Sequence, residues 1–253
     1  MSMDTAISTT VAHPARLRVP VHLGVIMDGN GRWAKARGKR RTEGHVEGVK
    51  ALRGLVEHCI NYGVEYLTVF SFSSENWTRP PDEISFIFGL LRRFIASDLQ
   101  RLIRNNVQVR IIGSRERLEP SLVRLIDDVE AKTAGNTGLV LLVAFNYGGK
   151  AEIAEAARRL ARQVAAGKLS PDDITEARLA AELYTAGIPD PDVIIRTSGE
   201  QRISNFLLWQ AAYSELIFVD EHWPDFNEQS FRRVLEEYAS RDRRFGGIEA
   251  VVP

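Results

Sequence analysis

With 253 residues, 44% of them hydrophobic, the chain can bury one sizeable core, and a single mixed domain is the default expectation. Its 33 basic side chains balance 33 acidic ones, which argues against a general nucleic-acid or membrane-coating role but leaves room for a local basic site. The one cysteine, Cys59, rules out an internal disulfide framework and points to the cytoplasm.

Residues 1–20 contain no continuous apolar stretch of the secretory kind and read as a flexible N-terminal segment. Val21 to Met27 is a buried-strand pattern that ends at Asp28. A helix is expected from about Glu43 to Tyr62, with Val46, Val49, Leu52, Leu55, Val56 and Cys59 at helical spacing and Gly63 placed to stop it. Tyr66 to Phe72 forms the next strand, and Pro80, Pro81 and Asp82 open a long helix to about Asn105. Val107 to Ile112, Leu139 to Phe145, Val193 to Ile195 and Leu216 to Val219 supply further strands, with helices between most of them. No run approaches the roughly 18 apolar residues that span a bilayer. The fold class is therefore α/β: one domain with a mainly parallel central sheet of about six strands flanked by helices.

In such sheets ligands bind beyond the carboxyl ends of the strands. Four polar turns follow strands here: Asp28-Gly29-Asn30-Gly31-Arg32, Ser73-Ser74-Glu75-Asn76-Trp77, Asn146-Tyr147-Gly148-Gly149 and Arg196-Thr197-Ser198-Gly199. They are expected to converge on one sheet edge.

The first turn carries the most chemistry. Two glycines let backbone amides approach an anionic oxygen, and Arg32 adds a charge-assisted donor suited to phosphate. Asp28 is the residue type that holds Mg²⁺ together with phosphate oxygens and water. From Arg32 to Arg41 there are six basic residues and no acidic one. An ordinary Asp-Gly turn before a solvated basic stretch is the bland alternative. The run Gly29-Asn30-Gly31-Arg32-Trp33-Ala34 also fits a dinucleotide fingerprint, but Arg32 and Trp33 crowd a turn that needs small residues, and the second strand ends in Ser73-Ser74 rather than an acid. The second cluster, Ser71 to Pro80, doubles as a plausible helix cap. In the third, Arg196, Arg202 and Ser204 are suited to grip a second diphosphate. Glu215 is a candidate second carboxylate for the metal, although taken alone it reads rather as a solvated acid.

These three segments, in this order, resemble the signatures of the cis-prenyltransferase family, and the similarity runs from about Val21 to Gly247, leaving a tail at 248–253. The resemblance implies that Asp28 binds Mg²⁺ and is central to catalysis, with Glu215 as a further metal ligand. It implies an allylic diphosphate, usually farnesyl diphosphate, near Gly29, Asn30, Gly31, Arg32, Arg41 and His45. It assigns Trp33, Ser73, Ser74, Glu75, Trp77 and Arg79 to the substrate sites, Asn76 to the proton-removal step, and Arg196, Arg202, Ile203 and Ser204 to isopentenyl diphosphate. Glu83 is expected to support the active-site loop. Some members carry histidine where this chain has Gln201, a poorer metal ligand, so no metal role passes to that position. The resemblance also implies a homodimer, with Phe206 to Phe218 and Arg243 to Gly247 at the interface, transient membrane contact for product release, undecaprenyl diphosphate as the product, and no nucleic-acid partner. An apolar tunnel is expected along Ile84, Phe86, Ile87, Phe88, Leu90, Leu91, Phe94 and Ile95, with Leu139, Leu141 and Val143 at its floor. An all-helical trans-prenyltransferase is opposed by the strand pattern and by the lack of paired D-D-x-x-D motifs; Asp172 to Glu176 reads as a helix start. A non-catalytic partner subunit is the remaining alternative, which retention of Asp28, Asn76, Arg202 and Ser204 disfavours.

Overall fold

The computed structural model describes residues 17–241, so the expected tail, the domain end at Gly247 and the Arg243 to Gly247 interface segment lie outside the described residues. Six strands, β1 (His22–Ile26), β2 (Tyr66–Ser73), β3 (Gln108–Ile112), β4 (Val140–Tyr147), β5 (Val193–Arg196) and β6 (Glu215–Phe218), form one sheet in the order β3-β4-β2-β1-β5-β6. Every pairing is parallel. The strands read as continuous apolar runs because both faces are covered. Leu23, Val25, Leu141 and Val143 enter the larger core cluster, while Ile26, Leu142 and Ala144 enter a smaller one on the other face. Cys59 is wholly buried in the larger core, which pushes its thiol far up and removes it from thiolate chemistry.

The helices are α1 (Asn30–Ala36), α2 (Arg41–Tyr62), α3 (Pro81–Arg104), α4 (Pro120–Thr133), α5 (Gly149–Ala165), α6 (Glu176–Ala180) and α7 (Glu228–Ser240). α3 begins where the sequence places it, with proline at its first position and Asp82 and Glu83 in its first turn, residues suited to the positive end of a helix. α1 is an element that the basic run conceals. It packs tightly on α2 because Gly44 and Gly48 lie on one face: a side chain at Gly44 would collide with the Asn30 carbonyl, and one at Gly48 with the Asn30 carboxamide and Trp223. Trp223 Nε1 also donates to the Gly48 carbonyl at 2.8 Å.

The chain leaves β1 to build β2, β3 and β4 on one side, then crosses β1 to add β5 and β6 on the other. The carboxyl ends of β1, β2 and β5 thus lie side by side at the point where the winding reverses, which is where open α/β sheets bind ligands. Among the described residues no helix is long and apolar enough to cross a membrane.

Candidate active site

A cavity of about 730 Å³ opens at that edge. Its polar wall carries Asp28, Gly29, Asn30, Gly31, Arg32, Arg41, His45, Ser73, Glu75, Asn76, Arg79, Arg196 and Ser204. Its apolar wall carries Val49 and Leu52 of α2, Ile87, Leu90, Leu91 and Phe94 of α3, and Val143 of β4.

One guanidinium organises the polar wall. Arg196, 5% exposed, donates from Nη2 to Asp28 Oδ2 at 2.9 Å and from Nη1 to Ser204 Oγ at 2.7 Å and the Arg202 carbonyl at 2.5 Å. The turn after β1 and the loop after β5 are therefore fastened together by a planar fork that only arginine supplies. Arg32, one turn along α1, reaches back to Asp28 Oδ2 at 3.1 Å. Burial by itself would raise the Asp28 carboxyl, but the hydrogen bond and charge of Arg196, with those of Arg32, outweigh it and hold the group below the usual carboxylate range. Asp28 is ionised at neutral pH.

Gly29 sits at φ +102°, a left-handed conformation, and a Cβ there would strike Ser198 and His222. That conformation starts α1 directly after Asp28, so the first-turn amides of Asn30, Gly31 and Arg32 have no intrahelical acceptor. Thr197 locks the turn from behind: its hydroxyl accepts from Asp28 N at 2.9 Å and donates to Asp28 O at 2.6 Å.

The opposite rim is held by Glu83. Its Oε1 accepts from Arg41 Nε and Arg79 Nη1, both at 3.0 Å, and faces His45 Nε2 at 3.5 Å, beyond ordinary hydrogen-bond length. Burial opposes ionisation of Glu83, but Arg41, Arg79 and His45 prevail and keep its carboxyl low. Burial lowers His45, with Arg79 and Arg41 adding to the effect and Glu83 opposing it, so the imidazole is neutral at pH 7. Glu83 thus holds two of the arginines at the rim.

The 3₁₀ turn Ser74–Thr78 follows β2. Asn76 Oδ1 accepts from Ser73 N at 3.1 Å, which fixes the carboxamide and leaves its NH₂ group for a ligand. Glu75 accepts from the hydroxyls of Ser73 and Ser74.

Several sequence candidates stand elsewhere. Trp33 is buried away from the cavity: its Nε1 donates to Asp225 Oδ1 at 2.7 Å, and Arg37 and Lys39 cover its face. Trp77 donates to Asn146 Oδ1 at 2.8 Å and packs edge-on against Phe72 and Phe88. Ser74, Arg202 and Ile203 are not among the lining residues; Arg202 is exposed and ion-paired to Glu200, and Ile203 packs on the smaller core. Glu215 stands apart from Asp28 within the chain. It opens β6 opposite Val193, at the amino end of the sheet, and pairs with Arg241 at 2.8 Å. Asp28 follows the carboxyl end of β1, so within one chain the two carboxylates do not meet. Along the expected apolar stripe, Phe88 packs on Phe72, Trp77 and Phe145, and Ile95, Leu139 and Leu141 belong to the core rather than the cavity wall. Phe206 is fully buried in the smaller core and is no surface residue. Asn205 and Trp223 line the cavity and were not singled out as site residues by sequence.

The residues present fit a magnesium ion carried with phosphate. Among the described residues no cluster of three or more His, Cys, Asp or Glu exists, so an all-protein cage is not built. A single ionised aspartate beside arginines suits Mg²⁺, which takes one or two carboxylates and completes its shell with phosphate oxygens and water. Three buried polar atoms without a hydrogen-bond partner, Asn30 Oδ1, His45 Nε2 and Arg196 Nε, belong to residues of this wall.

Residues 26–246 match the family model described as "Putative undecaprenyl diphosphate synthase". The chain belongs to the cis-prenyltransferase family. It is 55% identical over 230 residues to the isoprenyl transferase of Rhizobium meliloti, covering 91% of this chain and 93% of that protein. To isoprenyl transferase 2 of Bradyrhizobium diazoefficiens it is 54% identical over 248 residues, 98% of each chain. Its fold matches lavandulyl diphosphate synthase from Lavandula x intermedia, solved with dimethylallyl diphosphate, at TM-score 0.87 and 37% identity, over 90% of this chain and 98% of that one. It also matches a probable undecaprenyl diphosphate synthase from Campylobacter jejuni at TM-score 0.75 and 36% identity, over 90% and 99%. This cis-prenyltransferase is therefore a prenyl-transferring enzyme of chain elongation, and the all-helical and dinucleotide-binding alternatives fall away.

Proposed function

We propose that this prenyltransferase adds isopentenyl diphosphate units to farnesyl diphosphate with Mg²⁺, forms a cis double bond at each step, and yields undecaprenyl diphosphate for a cell-wall lipid carrier. The observation that carries the reading is the Arg196 fork between Asp28 and Ser204, which sets the two diphosphate loops side by side. Asp28 would hold the magnesium ion, which supplies charge neutralisation to the leaving diphosphate. Arg32 and the first-turn amides of α1 bind the allylic head group at the same end, while Arg41, Arg79 and His45 shape the rim. Arg196, Arg202 and Ser204 hold the isopentenyl head group, with Ile203 packing behind it.

In the reaction the allylic carbon–oxygen bond breaks, the isopentenyl double bond attacks that carbon, and the adjacent methylene loses a proton as diphosphate departs. Positioning and electrostatics supply most of the rate. A neutral amide is a feeble base, so Asn76 orients the substrate, and the proton passes to water or a diphosphate oxygen. Ser73, Ser74 and Glu75 hold Asn76's turn. The apolar wall between α2 and α3 shelters the growing chain as a tunnel. We also place the enzyme in the cytoplasm as a homodimer paired through the β6 edge, with brief membrane contact at product release and no nucleic-acid partner.

The test is incubation of purified protein with farnesyl diphosphate, labelled isopentenyl diphosphate and Mg²⁺, followed by product-length analysis. Polymers near eleven isoprene units support the reading. No incorporation, or products with only trans double bonds, refutes it.

A further inference from the structure

Three loops meet at one point beside the cavity. Asn205 follows Ser204 in a stretch where Ser204, Asn205 and Leu207 have φ of +48°, +64° and +46°. Left-handed backbone at three non-glycine residues persists only where surrounding contacts dictate it. Asn205 supplies those contacts. Its carbonyl accepts from Gly149 N at 2.8 Å and its Oδ1 from Lys150 N at 2.8 Å, so it caps α5 from 55 residues away. Its Nδ2 donates to Glu75 Oε1 at 2.6 Å, while the other Glu75 oxygen accepts from Ser73 and Ser74. Gly148 sits at the junction, where a Cβ would collide with Ser74 Oγ and Asn205 Nδ2.

The two ends of the Asn205 carboxamide therefore face opposite needs, an acceptor toward α5 and a donor toward Glu75. Asparagine meets both. Aspartate keeps the first and turns the second into repulsion between carboxylates. Burial opposes ionisation of Glu75, but hydrogen bonds from Ser73, its own backbone amide, Asn205 and Ser74 outweigh it and hold the carboxyl low, so Glu75 is ionised at neutral pH.

We propose that Asn205 is a positioning residue that latches the Ser204 loop to Glu75 and to the start of α5, setting the wall of the cavity that receives isopentenyl diphosphate. It acts through Ser204, whose hydroxyl it holds within reach of the Arg196 fork. The inference rests on the reading of Ser204 as part of the isopentenyl diphosphate site.

The experiment is a double-mutant cycle on the purified enzyme with separate KM values for isopentenyl and farnesyl diphosphate, alongside thermal melts. Asn205→Asp should raise KM for isopentenyl diphosphate about tenfold or more, the effect of losing one charge-assisted hydrogen bond. KM for farnesyl diphosphate should stay within about twofold, and Tm should hold because the α5 cap survives. Glu75→Gln added to Asn205→Asp restores a donor opposite an acceptor, so the double variant should recover most of the loss, which a merely structural role would not produce. Should Asn205→Asp fold poorly, exposed Glu75→Ala must show the same selective rise. A double variant no better than Asn205→Asp, a wild-type KM in Asn205→Asp, or an equal rise for both substrates overturns the proposal. Wild-type protein that elongates nothing overturns the functional reading first, before any variant is compared.

Discussion

Replacing Arg196 by lysine keeps the charge and removes the fork. The guanidinium now spans Asp28 Oδ2 at 2.9 Å and Ser204 Oγ at 2.7 Å, with a third bond to the Arg202 carbonyl. An ammonium on a shorter stem serves one of these directions, so about two charge-assisted bonds are lost at roughly 1.5–3 kcal/mol each. Allowing for relaxation of the exposed Ser204 loop, about 3–4 kcal/mol of transition-state stabilisation disappears, a fall of roughly 10²–10³ in kcat/KM. Arg196→Gln removes the charge as well. Asp28 has a depressed folded pKa, so its ionised form is fully present above the unfolded value and is lost as pH falls through the folded one. With glutamine, burial is opposed by Arg32 and by the Gly29 amide, which donates to Asp28 Oδ1 at 2.6 Å, but no longer by Arg196, so the folded value rises and loss of the carboxylate begins at higher pH. The acid limb of kcat/KM, followed by incorporation of labelled isopentenyl diphosphate, should move to higher pH in Arg196→Gln and stay in place in Arg196→Lys. A lysine variant within about threefold of wild type, or an unmoved acid limb in the glutamine variant, would refute the reasoning.

Asp28→Ala should abolish elongation while leaving Tm within a few degrees, since the group is a half-buried cavity residue; near-normal turnover in folded protein would sink its assignment. Glu83→Gln releases Arg41 and Arg79, and should cost about 1–3 kcal/mol at pH 7 by urea denaturation. Because the Glu83 carboxyl is held low, that difference is present above the unfolded value of about 4.3 and should shrink as pH falls below it; a gap unchanged at pH 3 would contradict this. Phe94→Ala deepens the apolar wall between α2 and α3, so products should lengthen by about one isoprene unit while stability drops by about 3 kcal/mol. Unaltered product lengths would place the growing chain elsewhere.

The sheet was legible because each strand is an apolar run buried on both faces, and its ends were read to within a residue or two: Tyr66 to Phe72 became Tyr66–Ser73, and Leu139 to Phe145 became Val140–Tyr147. Of the four turns that leave the carboxyl ends of strands, those at Asp28, Ser73 and Arg196 contribute residues to the cavity, and Asn146 to Gly149 does not line it. The rule that ligands bind beyond those ends separates Glu215 from Asp28 within one chain, because a residue that opens a parallel strand stands at the far edge; a metal role for Glu215 would need the partner subunit of the proposed homodimer. Trp33 stands away from the cavity for a different reason. A hidden helix begins at Asn30, and its period turns Trp33 about 100° from Arg32, into the contact with Asp225. Asn205 escaped because its importance lies in partners 55 and 130 residues distant, which no local spacing reveals. Gly44 and Gly48, at helical spacing on α2, were a signal for close packing of another helix that the sequence did carry.

A chain of zero net charge can still hold a basic site because most of the cations proposed to meet phosphate already have an anion. Arg32 is shared between Asp28 and Glu200, Arg202 pairs with Glu200, Arg41 and Arg79 pair with Glu83, and Arg196 pairs with Asp28. Binding a diphosphate is thus an exchange of partners rather than the filling of an unmet charge. Asp28 and Glu83 keep Arg32, Arg41, Arg79 and Arg196 at the cavity wall, which lowers the ordering cost of binding. They also compete for the same guanidinium donors, which weakens the hold on any one diphosphate. An enzyme that must release a diphosphate at every elongation step gains from that competition, because a site of unpaired arginines would bind its own leaving group too well.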